Sequence, residues 1–195
     1  KKINVSLITD EDSIYYFTGY YNYLHMDFGR PTILIVTVDE GCYLITPKME
    51  HYMAESLAQV DKIFFWNDGM GEEWREKVPN FITKNSKVGY EPNQMPPKIQ
   101  NYLFTIHKKT NFIDISAIIE KIRMIKSPEE LQIARHAGEV ATTMMNAGRN
   151  SIKEGAPEYE VALATSAAGS HKASKLLIEH YRDKQMSPNI HFLQI

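Results

Sequence analysis

The 195-residue chain (22.5 kDa) is 43% hydrophobic and 24% charged, with a formal net charge of −2. These proportions exclude a disordered tail, a collagen-like repeat and a disulfide scaffold. The near-neutral charge gives no reason to expect nucleic acid or an anionic membrane as partner. The longest apolar stretch, near Ile33 to Val38, is far shorter than the roughly 20 residues of a spanning helix.

Residues 1–115 read as alternating strands and helices. Val5 to Thr9 is a strand candidate, followed by a short helix carrying Ile14, Tyr15 and Phe17 that Ser13 or Asp12 can cap and Gly19 ends. Thr32 to Val38 is dense in β-branched residues, which marks a buried strand. Asp39-Glu40-Gly41 turns the chain and Cys42 to Thr46 returns, so these two strands should pair as an antiparallel hairpin. Pro47 opens a helix to about Gln59, and Lys62 to Trp66 is a further strand. Lys87 to Tyr90 and Asn111 to Asp114 are shorter strands flanking a helix from about Pro97 to Lys108. A hairpin followed by βαβ units gives an α/β fold with a mixed sheet.

The second part reads as helical. Ser116 can cap a helix through Ile118, Ile119, Ile122 and Ile125. Ser127-Pro128-Glu129-Glu130 is a capping box with proline at the first helical position. Leu131, Ala134, Ala137, Gly138, Ala141, Met144 and Met145 recur at helical spacing, and Gly148 stops the helix. Pro157 starts another, whose small residues Ala164 to Gly169 let something pack closely on it. Helices without a sheet make a poor independent domain, and their apolar stripes need further partners. The chain does not open on Met and ends on the apolar run His191 to Ile195, which reads as a chain cut inside a domain or as a short edge strand. A single cysteine, Cys42, with no visible signal peptide points to a reducing cytoplasm.

Candidate chemistry is scarce. A hydrolytic metal site needs several carboxylates and histidines converging on one point. After Asp114 the only aspartate is Asp183, the histidines are His136, His171, His180 and His191, and no His-Glu-x-x-His occurs. These histidines read as solvated or capping, and no metal site is expected in this segment. Gly69-Met70-Gly71 lacks a third glycine and reads as a loop. Asn4-Val5-Ser6 matches a glycosylation acceptor but sits inside a predicted strand. Cys42 reads as a buried inert thiol, His51 and His107 carry no partner signal, and Met49, Met53, Met144 and Met145 read as core filler. The segment from Tyr15 to Arg30 stands out, with seven aromatic residues and a long loop carrying His25, Asp27, Phe28 and Arg30. Arginine binds a carboxylate with two parallel hydrogen bonds, and Phe28 beside it can exclude water or stack on a substrate. The alternative is that the aromatics seal the helix on the sheet and Arg30 pairs with a local acid.

Asp12-Ser13-Ile14-Tyr15-Tyr16-Phe17-Thr18-Gly19-Tyr20 resembles the D-x-N-I-x-Y-L-T-G-F opening of the creatinase/prolidase (pita-bread) family, and Ile122 to Glu130 resembles its R-x-I-K-S-x-E-E junction. Within the family, Phe28-Gly29-Arg30-Pro31 and Pro157 to Leu163 look nearest to the creatine amidinohydrolase branch. The resemblance implies a ribonuclease-H-like α/β amino-terminal domain over 1–122. The first helices of a truncated pita-bread α+β catalytic domain would follow over 123–195. It implies a homodimer in which Phe28 and Arg30 of one subunit reach the substrate of the other, the arginine holding its carboxylate. It implies hydrolysis of a C–N bond. Peptidase members use two divalent metal ions (Mn, Zn or Co), whereas the creatinase branch uses a catalytic histidine and no essential metal. Those catalytic and metal-binding residues are expected beyond residue 195. Three readings follow: an amidinohydrolase acting on a small guanidino or amino acid, a metal-dependent Xaa-Pro dipeptidase or aminopeptidase, and a dimerisation and substrate-gating module without activity of its own.

Overall fold

A computed structural model describes residues 2–21, 31–67 and 72–181. The chain divides into two compact units, with the division after Met124.

The first unit is built on one mixed sheet. Its strands are β1 (Val5–Ile8), β2 (Ile33–Thr37), β3 (Cys42–Pro47), β4 (Lys62–Trp66), β5 (Val88–Tyr90) and β6 (Phe112–Asp114), in the order β4-β3-β2-β1-β5-β6. Strand β2 is antiparallel to both neighbours, and every other pairing is parallel. The hairpin appears as expected, with Val36 opposite Cys42 and Ile33 opposite Ile45.

Alternation along the strands sends side chains to two cores. Val5, Leu7, Ile33, Ile35, Ile45 and Val88 pack on one face with Trp66, Trp74, Val78, Ile99 and Leu103. Ile8, Leu34 and Leu44 pack on the other with Ile14, Tyr20, Ala54, Ile115 and Ile119. Helices α3 (Trp74–Lys77) and α4 (Pro97–Ile106) therefore cover the first face. Helices α1 (Glu11–Thr18), α2 (His51–Leu57) and α5 (Ser116–Met124) cover the second. Each large apolar side chain buried in this way contributes roughly 1.5–3 kcal/mol.

Local details correct several readings. The cap of α1 is Asp10, not Asp12 or Ser13: its carboxylate accepts from Ser13 N at 2.9 Å. Gly19 ends the helix at φ 73°, where its N–H reaches the Tyr15 carbonyl at 2.8 Å. Pro47 precedes a 3₁₀ turn over Lys48–Glu50 before α2 begins. Asp114, not Ser116, receives the first free N–H of α5 at 2.8 Å. The short α3 was not predicted, because a single turn shows no periodicity.

The second unit contains α6 (Pro128–Ser151) and α7 (Glu158–His180), which run antiparallel. The capping box is formed: Ser127 Oγ accepts from Glu130 N at 3.2 Å, and Glu130 Oε2 accepts from Ser127 N at 2.6 Å. Gly148 does not stop α6. The helix continues to Ser151, and a Cβ at Gly148 would lie 2.7 Å from Thr165 Oγ1. Gly169 is the matching close approach on α7, where a Cβ would lie 2.7 Å from Met144. Met144 is core as expected, but Met145 is 73% exposed and Met49 is 58% exposed. No helix among the described residues is long and apolar enough to cross a membrane.

Candidate functional site

Five strands of the first unit point one way and β2 points the other. The carboxyl ends of β1, β3, β4, β5 and β6 and the start of β2 therefore share one end of the sheet. In open α/β sheets that end gathers the chemistry-bearing loops. Two polar clusters form there.

The first cluster holds the two stems of segment 22–30. Tyr20, fully buried just after α1, has its hydroxyl 3.1 Å from Thr46 Oγ1 and donates to Glu50 Oε2 at 3.3 Å. Thr32, just before β2, lies 3.0 Å from the same Thr46 hydroxyl. Trp66 at the end of β4 donates its indole N–H to the Pro31 carbonyl at 2.9 Å. One stem is thus tied through Tyr20 and the other through Pro31 and Thr32, all to the ends of β3 and β4. Burial pushes the Tyr20 phenol well above its usual range, and the Glu50 charge adds to the shift. Phe28 and Arg30, the expected substrate contacts, lie outside the described residues, as do His25, Asp27 and the Gly69-Met70-Gly71 loop.

The second cluster joins the two stretches that resemble the family motifs. Arg123 on α5 lies 3.6 Å from Asp10 and 3.9 Å from Asp12. It also donates to Ser13 Oγ at 3.3 Å, across 110 residues of sequence. Ser13 Oγ in turn donates to Glu91 Oε1 at 3.4 Å, directly after β5. Burial pushes the Glu91 carboxyl above its usual range, the Asp10 charge pushes it further, and Ser13 and Arg123 pull the other way. Asp10, Glu91, Ser116, Glu120 and Arg123 line a cavity of about 430 Å³ beside it. Sequence reasoning missed this cluster. Ser13 and Arg123 were each visible inside a motif, but nothing local announces that they touch.

The remaining candidates have ordinary partners. His107 is buried and its ring nitrogen lies 2.9 Å from the Ser86 carbonyl, a contact that no signal in the sequence announces. His51 pairs with Glu55 at 3.0 Å. His136 lies 2.8 Å from the Tyr181 hydroxyl and stacks on His180. Cys42 is half-buried rather than buried, and burial followed by the Asp61 charge pushes its thiol up. Among the described residues no group of three or more His, Cys, Asp or Glu is placed to hold a metal ion. These residues therefore do not fit the two-metal centre of the peptidase branch, and no step through such a centre is assigned to them.

Residues 1–125 match the creatinase/prolidase N-terminal domain family. An uncharacterised peptidase of Staphylococcus aureus is 28% identical over 161 residues, covering 83% of this chain and 44% of the relative. The creatinase of a Bacillus species is 27% identical over 157 residues, covering 75% of this chain and 38% of the relative. Among solved structures, the prolidase from Pyrococcus horikoshii matches with a TM-score of 0.68 at 22% identity, covering 87% of this chain and 44% of that one. The N-terminal domain of an X-Pro dipeptidase from Streptococcus pyogenes matches with a TM-score of 0.51 at 21% identity, covering 60% of this chain and 86% of that one. The chain spans less than half the length of these two curated relatives.

Proposed function

Because the chain belongs to the creatinase/prolidase N-terminal domain family, we propose that the full-length protein is a cytoplasmic, homodimeric hydrolase of C–N bonds. In this reading it is a creatinase-like amidinohydrolase acting on a small guanidino or amino acid. The first unit contributes dimerisation and substrate gating. Phe28 and Arg30 reach the neighbouring subunit's substrate, with the guanidinium holding a carboxylate. The observation that supports the gating role, whichever bond is cut, is the anchoring of both stems of segment 22–30. Arg30 is bonded to Pro31, whose carbonyl is held by the Trp66 indole. A substrate contact made from a fixed base loses less entropy on binding than one made from a free loop.

The second reading is a metal-dependent Xaa-Pro peptidase, supported by the relatives named peptidase and the prolidase structures of matching fold. An Xaa-Pro dipeptide also ends in a carboxylate, so Arg30 keeps its role. In that case two divalent ions (Mn, Zn or Co) would be held by residues outside this sequence. The test is to assay the full-length protein on creatine and on Xaa-Pro dipeptides, before and after chelation. Urea release that survives chelation supports the amidinohydrolase reading. Proline release that chelation abolishes supports the peptidase reading. Hydrolysis of neither refutes the proposal.

A further inference from the structure

Glu91 is 6% exposed, and its Oε2 has no hydrogen-bond partner among the described residues. Its other oxygen accepts from Ser13, which itself accepts from Arg123. The hydroxyl therefore links carboxyl and guanidinium. The charged groups facing Glu91 come from every element around it: Asp10 capping α1, Asp114 ending β6, and Arg123 on α5. Asp12 stands near the same guanidinium, and Glu120 lines the adjoining cavity. One arginine thus serves a corner crowded with carboxylates. Ionising Glu91 there adds a charge where one oxygen lacks a donor, and an unpaired buried charge is costly.

We propose that Glu91 is a proton-operated latch on α5. With a neutral carboxyl no buried charge calls for water, and Arg123, paired with Asp10 and Asp12 and bonded to Ser13, holds α5 against the end of the sheet. With an ionised one, the buried Oε2 needs donors that the fold does not supply, and α5 loosens to let water of the adjoining cavity reach it. The upward displacement of the Glu91 titration agrees with this geometry. Its sign follows from linkage. The closed form binds a proton more readily than the open form, in which Glu91 titrates as an ordinary glutamate. Closure is therefore most favourable below the ordinary glutamate range and weakens as pH rises towards the raised value. Across that window the opening constant changes by at most about tenfold per pH unit.

The test uses the full-length protein and hydrogen exchange over residues 116–124 from about pH 4 to about pH 8, corrected for intrinsic exchange rates. The wild type should open more as pH rises out of the ordinary glutamate range, by up to about tenfold per unit, and level off above the raised value, while Glu91→Gln stays closed and pH-independent. Identical profiles in the two proteins overturn the proposal. Carboxyl-carbon NMR of Glu91 in the unaltered protein gives a second readout, which stands if the variant does not fold. A midpoint above the ordinary glutamate range is expected, and an ordinary midpoint overturns the latch.

Discussion

Replacing Tyr20 by phenylalanine removes one oxygen atom from the base of segment 22–30. That oxygen lies 3.1 Å from Thr46 and donates to Glu50 at 3.3 Å, in a side chain with no exposed surface. A buried hydrogen bond to a carboxylate is worth about 1.5–3 kcal/mol, and one between neutral hydroxyls about 1 kcal/mol. Thr46 keeps Thr32 at 3.0 Å, so the neutral share falls at the low end. The ring still fills its place in the core, and no cavity term is added. The expected loss is about 2–3 kcal/mol. Both tryptophans of this sequence, Trp66 and Trp74, are buried in the first unit, so urea unfolding of residues 1–195 followed by their fluorescence reads this unit. The midpoint should fall with an unchanged slope. A loss below about 0.5 kcal/mol would show that the network does not tie the stem down, and the argument for an anchored segment would fail with it.

Two further outcomes concern the second unit. Ser127→Ala removes the hydroxyl that accepts from Glu130 N, leaving only the bond from the residue-127 N–H to Glu130, and should cost about 1 kcal/mol, read as a lower melting temperature by far-ultraviolet circular dichroism. Gly169→Ala places a methyl group 2.7 Å from Met144 and should cost about 1–3 kcal/mol. Adding Met144→Ala should relieve part of that cost, so the two changes will be non-additive in a double-mutant cycle.

Much of the α/β fold was legible because local and tertiary signals agreed. The β-branched run at 32–38, the Asp39-Glu40-Gly41 turn and the strand at Lys62–Trp66 each carry their own signature, and the sheet pairs them as that pattern requires. The capping box at Ser127 is equally local. What misled was competition or distance. Asp10, Asp12 and Ser13 are all good caps, and only the backbone path selects Asp10. Gly148 carries the mark of a helix end, but its role is to let Thr165 approach, which only the packing of α6 on α7 reveals. Met49 and Met145 are apolar yet exposed, since composition does not say which side of a helix faces the core. The Ser13–Arg123–Glu91 cluster draws on α1, β5 and α5, and no period or spacing connects them. Phe28 and Arg30 were singled out by their setting and by resemblance. What the described residues add is the anchorage on either side of their segment.

The most direct test of the central claim is the Michaelis constant of full-length Arg30→Ala on the substrate that the wild type hydrolyses. Loss of a desolvated bond between guanidinium and carboxylate, about 1.5–3 kcal/mol, corresponds to KM raised by about ten- to a hundredfold, with the unfolding midpoint unchanged. An unaltered KM in a folded protein would show that the arginine does not touch substrate and would contradict the account.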